Sequence, residues 1–112
     1  MKTEVKKNEK PWGYELIFAH TDAYAGKILV INKGEELSLQ YHERKQESIY
    51  VYKGKIRLMF ENNRHILKSG DSFHIPPKTV HRMKALETSE IFEVSTPELE
   101  DVVRLKDHYG RM

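Results

Sequence analysis

Gln40, His42, Glu47 and His81 offer an amide oxygen, two imidazoles and a carboxylate, the donor types of a nitrogen–oxygen metal site. Their spacing is regular: Gly34, five residues, Gln40, one residue, His42, four residues, Glu47, six residues, Gly54. Beyond a hairpin come Gly70, five residues, Pro76, four residues and His81. Residues two apart on a strand project to one side, so Gln40 and His42 share a face, and a glutamate on the next strand can close on them across a sheet. A histidine from a distant hairpin completes the set. These donors suit one divalent ion, Zn, Mn, Fe, Co or Ni, and spacing does not choose among them. The chain has no cysteine, which excludes thiolate sites, iron–sulfur clusters, disulfides and cysteine nucleophiles.

The elements that must position these groups read as strands. Residues 27–32 form a β-branched run closed by the turn signal Asn32-Lys33-Gly34, and residues 36–42 alternate. Leu37, Leu39 and Tyr41 take one face, and Ser38, Gln40 and His42 the other. Either row can be the inner one: the apolar row by hydrophobicity, the polar row if the interior holds a site. Residues 47–53, 55–60, 65–68, 72–75, 81–86 and 90–94 continue the series, broken by Gly54, the turn 61–64 and Pro76-Pro77. Residues 97–109 are the one stretch where helix is expected, with Pro97 at a first turn and Gly110 as its stop. Short strands with Gly, Pro and Asn punctuation predict an all-β sandwich or barrel.

Length and charge restrict the function further. The 112 residues fit one domain, 1–112, with a charged segment at 1–9, expected to be flexible, and a C-terminal tail at 97–112. Nineteen Lys/Arg against 17 Asp/Glu give +2, too little to indicate a nucleic-acid partner. No run approaches the ~20 apolar residues of a membrane helix, and residues 1–10 lack the apolar core of a signal peptide, so the expectation is a cytoplasmic protein.

The two spaced segments resemble the two motifs of the cupin superfamily. That resemblance implies a double-stranded β-helix, a jelly-roll barrel, with Gln40, His42, Glu47 and His81 converging on one divalent metal. Lys78 departs from the pattern, where the second motif usually has glycine. Four segments, 11–15 (Pro-Trp-Gly-Tyr-Glu), 37–42, 75–82 and 100–111, further resemble the type II phosphomannose isomerase domain, in which a glutamine in the first motif is normal. Such domains are often fused behind a mannose-1-phosphate guanylyltransferase. The Gly-rich nucleotide loop of that partner is absent, so an isomerase-type domain standing alone is expected. Ser48 and Ile49 replace a His-Trp pair usual in that family, and the family's further histidine near Arg44 is missing.

The resemblance implies interconversion of mannose 6-phosphate and fructose 6-phosphate through an enediol, with a homodimer as the expected state. His74 and Glu93 are the candidates for the proton shuttle. Each also reads as an ordinary solvent-facing residue. Arg82 and Arg104 are the candidates for binding the substrate phosphate. Two other readings remain open: an Fe(II)-dependent dioxygenase-type cupin, and a non-catalytic metal- or sugar-binding module.

Overall fold

Alternation of β-branched and aromatic residues with polar ones carries the chain through strand after strand. The computed structural model describes residues 1–110, and among them it forms no helix. The strands are β1 (Lys6–Lys10), β2 (Gly13–His20), β3 (Ala25–Ile31), β4 (Leu39–Tyr41), β5 (Glu47–Lys53) and β6 (Lys55–Phe60), then β7 (Asn63–Lys68), β8 (Ser72–Ile75), β9 (His81–Ala85), β10 (Ser89–Ser95) and β11 (Val103–Lys106). They build two antiparallel sheets, ordered β1-β2-β3-β10-β5-β8 and β11-β4-β9-β6-β7. This is the double-stranded β-helix of a jelly roll.

The inward rows divide the barrel into an apolar end and a polar end. Ile91 lies opposite Val51 and Leu29, and Leu58 lies opposite Met83, all buried. One pleat repeat further along the same rows come Glu93, Lys27 and His81, and beyond them Glu47. The apolar end supplies the packing, and the same strands carry polar side chains into the other end. Gly54 lets the chain cross from one sheet to the other. It has φ +93°, and a Cβ there would lie 2.3 Å from Ser89 Oγ and 2.7 Å from the Thr88 carbonyl oxygen.

The tail departs from the helix expected over 97–109. Val103–Lys106 is instead β11, which pairs with β4 and covers the edge of the five-stranded sheet. A lone helix there would leave the β4 ladder open, whereas β11, beginning at β-branched Val103 opposite Tyr41, extends it. Arg111, the last residue of the family-like tail, lies outside the described residues.

Lys78 occupies the left-handed region with φ 61°, which explains why glycine suits that position. Its backbone N–H donates to the His42 carbonyl at 2.6 Å, tying the second motif to the first. Relief of roughly 1–2 kcal/mol of left-handed strain outweighs the roughly 0.5–1 kcal/mol entropic cost of glycine. Lys78→Gly is therefore expected to be as stable as the parent or up to about 1 kcal/mol more stable in urea unfolding. A loss of stability would contradict this.

Candidate metal centre

His42, Glu47 and His81 are buried, and one donor atom from each lies within 4.8 Å of the others. Glu47 Oε1 stands 3.5 Å from His42 Nε2 and 3.3 Å from His81 Nε2, with the ring centroids 5.2 Å apart. The opposite ring nitrogens set the tautomers. His42 Nδ1 donates to the Asp101 carbonyl, and His81 Nδ1 donates to the Thr79 carbonyl at 2.9 Å. A carbonyl only accepts, so Nδ1 carries the proton in each neutral ring and Nε2 presents a bare lone pair. Both Nε2 atoms are buried without a hydrogen-bond partner among the described residues. Two imidazole lone pairs and a carboxylate oxygen facing one another suit a shared cation, so the residues fit a divalent metal.

Gln40 lines the same cavity and lies opposite His81 in the β4–β9 register. Its Oε1 accepts from Ser38 Oγ at 3.2 Å, which leaves a second lone pair. Thus Ser38, Gln40 and His42, the polar row, point inward, and the apolar Leu39 and Tyr41 point the other way. Leu37 breaks the strict alternation. It is buried beside Ser38, because β4 is regular over only three residues.

Lys45, which carries no motif signature, is the buried cation of the site, with 4% exposure. Its Nζ lies 3.3 Å from Glu47 Oε2 and 3.2 Å from Glu93 Oε2. Burial disfavours its charge, but Glu93 and Glu47 together raise its pKa. Burial also opposes ionisation of Glu47, yet hydrogen bonds that His42 and His81 donate when their Nε2 atoms also carry a proton, together with the Lys45 charge, hold it well below the usual carboxylate range. Glu93 goes the other way: burial, then the Glu47 charge, pushes it up to about 7. On the same wall of the cavity, Glu15 accepts from Asn8 at 3.1 Å and pairs with Lys27 at 3.1 Å.

The remaining predicted residues divide by strand parity. Arg104 lines the cavity, and its Nε is buried without a partner among the described residues. Arg82 follows inward His81 and therefore lies on the outer side, where Nε donates to the Leu37 carbonyl at 2.9 Å and sits 3.6 Å from Glu36. His74 is exposed beside Ser48, with its Nδ1 3.3 Å from Ser48 Oγ, on the opposite face of β5 from Glu47. The structure does not bring Arg82 or His74 to the cluster. Ser48 lies outside the barrel too, so its departure from the family pattern leaves the cavity unchanged, while Ile49 is buried in the core.

Glu93 gives the metal-free protein a pH signature. Its folded pKa of about 7 lies above the ordinary 4.5, so its contribution to stability is full below 4.5 and is lost as pH rises through about 7. Unfolding free energy of the metal-free protein should fall across that window. Glu93→Gln should remove the fall, and a persisting slope would assign it elsewhere. The depressed Glu15 and Glu47 contribute in the opposite sense, losing their stabilisation as pH falls below the ordinary carboxylate range.

The fold and this buried cluster define a small antiparallel barrel with a candidate ligand site in one end. Residues 27–95 match the Cupin domain model, and the chain belongs to the cupin family. It is 32% identical over 109 residues to mannose-1-phosphate guanylyltransferase of Escherichia coli K12, covering 92% of this chain and 23% of that protein. It is 29% identical over 111 residues to the xanthan biosynthesis protein XanB of Xanthomonas campestris pv. campestris B100, covering 95% of this chain and 24% of that protein. The chain thus spans about a quarter of the length of these relatives. Among solved structures, KdgF from Halomonas sp. superposes with a TM-score of 0.79 at 26% identity, over 88% of this chain and 90% of that one.

Proposed function

We propose that this cupin is a divalent-metal-dependent aldose–ketose isomerase of a sugar phosphate, with mannose 6-phosphate and fructose 6-phosphate as the pair to test first. One observation carries the reading: a single cavity of about 1310 Å³ holds His42, Glu47, Gln40, an acid poised near neutrality and the Arg104 guanidinium, whose buried Nε has no partner among the described residues. His81 faces Glu47 beside them. The likeness to mannose-1-phosphate guanylyltransferases supports a sugar-phosphate substrate, as does the resemblance of the sequence motifs to type II phosphomannose isomerase domains.

Gln40, His42, Glu47 and His81 would hold the ion. A divalent metal there supplies Lewis-acid polarisation of adjacent carbonyl and hydroxyl oxygens. Glu93, at about pKa 7, is matched to accept a proton from one carbon and return it to its neighbour. Lys45 balances the charge that Glu93 bears before the first transfer and again after the second. Arg104 would hold the phosphate through its planar donor fork. Arg82, on the outer side, is left out of this assignment.

A second copy of the chain would cover the outer face of the six-stranded sheet. Tyr50, Tyr52, Phe92 and Val94 are exposed there, with Tyr52 and Phe92 stacked at 5.0 Å. Light scattering should give a dimer, and Phe92→Asp a monomer; a parent that is monomeric at micromolar concentration would contradict it.

The activity test is coupled conversion of mannose 6-phosphate to fructose 6-phosphate by protein loaded separately with Zn, Mn, Co, Ni or Fe(II) under anaerobic conditions. Turnover in at least one form is expected. A folded, metal-loaded protein that binds the sugar phosphate without turnover would make it a binding module, and oxygen consumption only with Fe(II) would make it an oxidative cupin.

A further inference from the structure

The C-terminal segment reaches the metal centre through Asp101. Its carboxylate accepts three backbone N–H groups: Glu43 on Oδ1 at 3.1 Å, and Arg44 and Lys45 on Oδ2 at 2.7 and 3.0 Å. These residues belong to the loop between β4 and β5, which sets where His42 stands relative to Glu47. The main-chain carbonyl of the same residue accepts the His42 Nδ1 proton. One residue therefore anchors the loop and orients the imidazole. His81 has no such dependence, because its Nδ1 partner is Thr79, two residues away in the chain.

We infer that Asp101 is a positioning residue of the metal centre, holding the 43–45 loop and the His42 ring so that Nε2 faces Glu47. The inference rests on the metal reading above. Three converging N–H groups need the two oxygens of a carboxylate. Asparagine keeps one oxygen and turns an NH₂ group against at least one of the donors, and alanine leaves all three to water. The His42 carbonyl partner then moves with a segment that has lost its anchor. Because the coupling is reciprocal, metal binding also tightens the loop.

The test is zinc affinity by competition with a chromophoric chelator for the parent, Asp101→Asn and Asp101→Ala, alongside amide exchange at Glu43, Arg44 and Lys45. Affinity should fall in the order Asp, Asn, Ala, with a loss of about 10- to 100-fold for alanine, the range for partners of metal-bound histidines. The three amides should exchange faster in Asp101→Ala, and more slowly in the parent once zinc is added. A folded Asp101→Ala with parental affinity overturns the inference even if its stability is lower, since the role is then confined to the loop. If the alanine variant does not fold, parental affinity in Asp101→Asn overturns it equally. A parent that binds no zinc, manganese, iron, cobalt or nickel refutes the metal centre itself and the inference with it.

Discussion

His81→Ala is expected to lower zinc affinity by more than about 100-fold and to reduce sugar-phosphate interconversion to the uncatalysed rate, while the circular dichroism of the parent is kept. Loss of a partner that merely orients a metal-bound histidine costs about 10–100-fold, so loss of a ligand itself must cost more. His81 is 1% exposed, its Nε2 makes no hydrogen bond among the described residues, and its Nδ1 bond to Thr79 is local, so its loss breaks no hydrogen bond between distant strands. Glu47→Gln tests the same site from the other side. It removes the charge facing both imidazoles at 3.3 and 3.5 Å and should weaken the metal to a similar degree. Parental affinity in either variant would mean that the three side chains meet for another reason.

Lys45→Met should destabilise the metal-free protein by about 3–5 kcal/mol at pH 8, the range for leaving a buried charge without its partner. Total stability of small domains is only about 5–15 kcal/mol, so the loss should be plain in urea unfolding. Methionine fills similar volume, and the effect isolates the charge. Without Lys45, Glu47 and Glu93 share a buried pocket with no cation between them. The cost should shrink at pH 5, where Glu93 accepts a proton, and shrink again when a divalent metal neutralises Glu47. A variant as stable as the parent at pH 8 without metal would show that water reaches these carboxylates.

Much of this arrangement was legible in the order of residues. The i, i+2 pair Gln40 and His42 had to share a face, and the motif spacing predicted Glu47 and His81 beside them. Strand parity also carried signals that decide between candidates. Arg82 follows inward His81, and His74 precedes inward Ile75, so both must point outward; Glu93, two residues after inward Ile91, must point in. The inner row of β4 was not decidable from hydrophobicity, because this end of the barrel is lined by charge and hydrogen bonds, against the usual pattern of apolar interiors. Lys45 was hidden for the same reason. It sits in the mostly charged run 43–47, which reads as a solvated loop, and its burial depends on the non-local approach of β10, which sets Glu93 against it beside Glu47. The tail read as helix because Pro97 and Gly110 bracket it, and its strand arises from a non-local demand, the open edge of β4.

The central claim is that Gln40, His42, Glu47 and His81 hold a divalent metal. Crystals grown with cobalt or zinc and measured across the metal's absorption edge test it directly. The account predicts one strong anomalous peak about 2.0–2.2 Å from His42 Nε2, His81 Nε2 and Glu47 Oε1, with Gln40 Oε1 as the fourth ligand. A cluster with no peak at saturating metal, or a peak elsewhere with the two imidazole nitrogens still facing Glu47 alone, would contradict it.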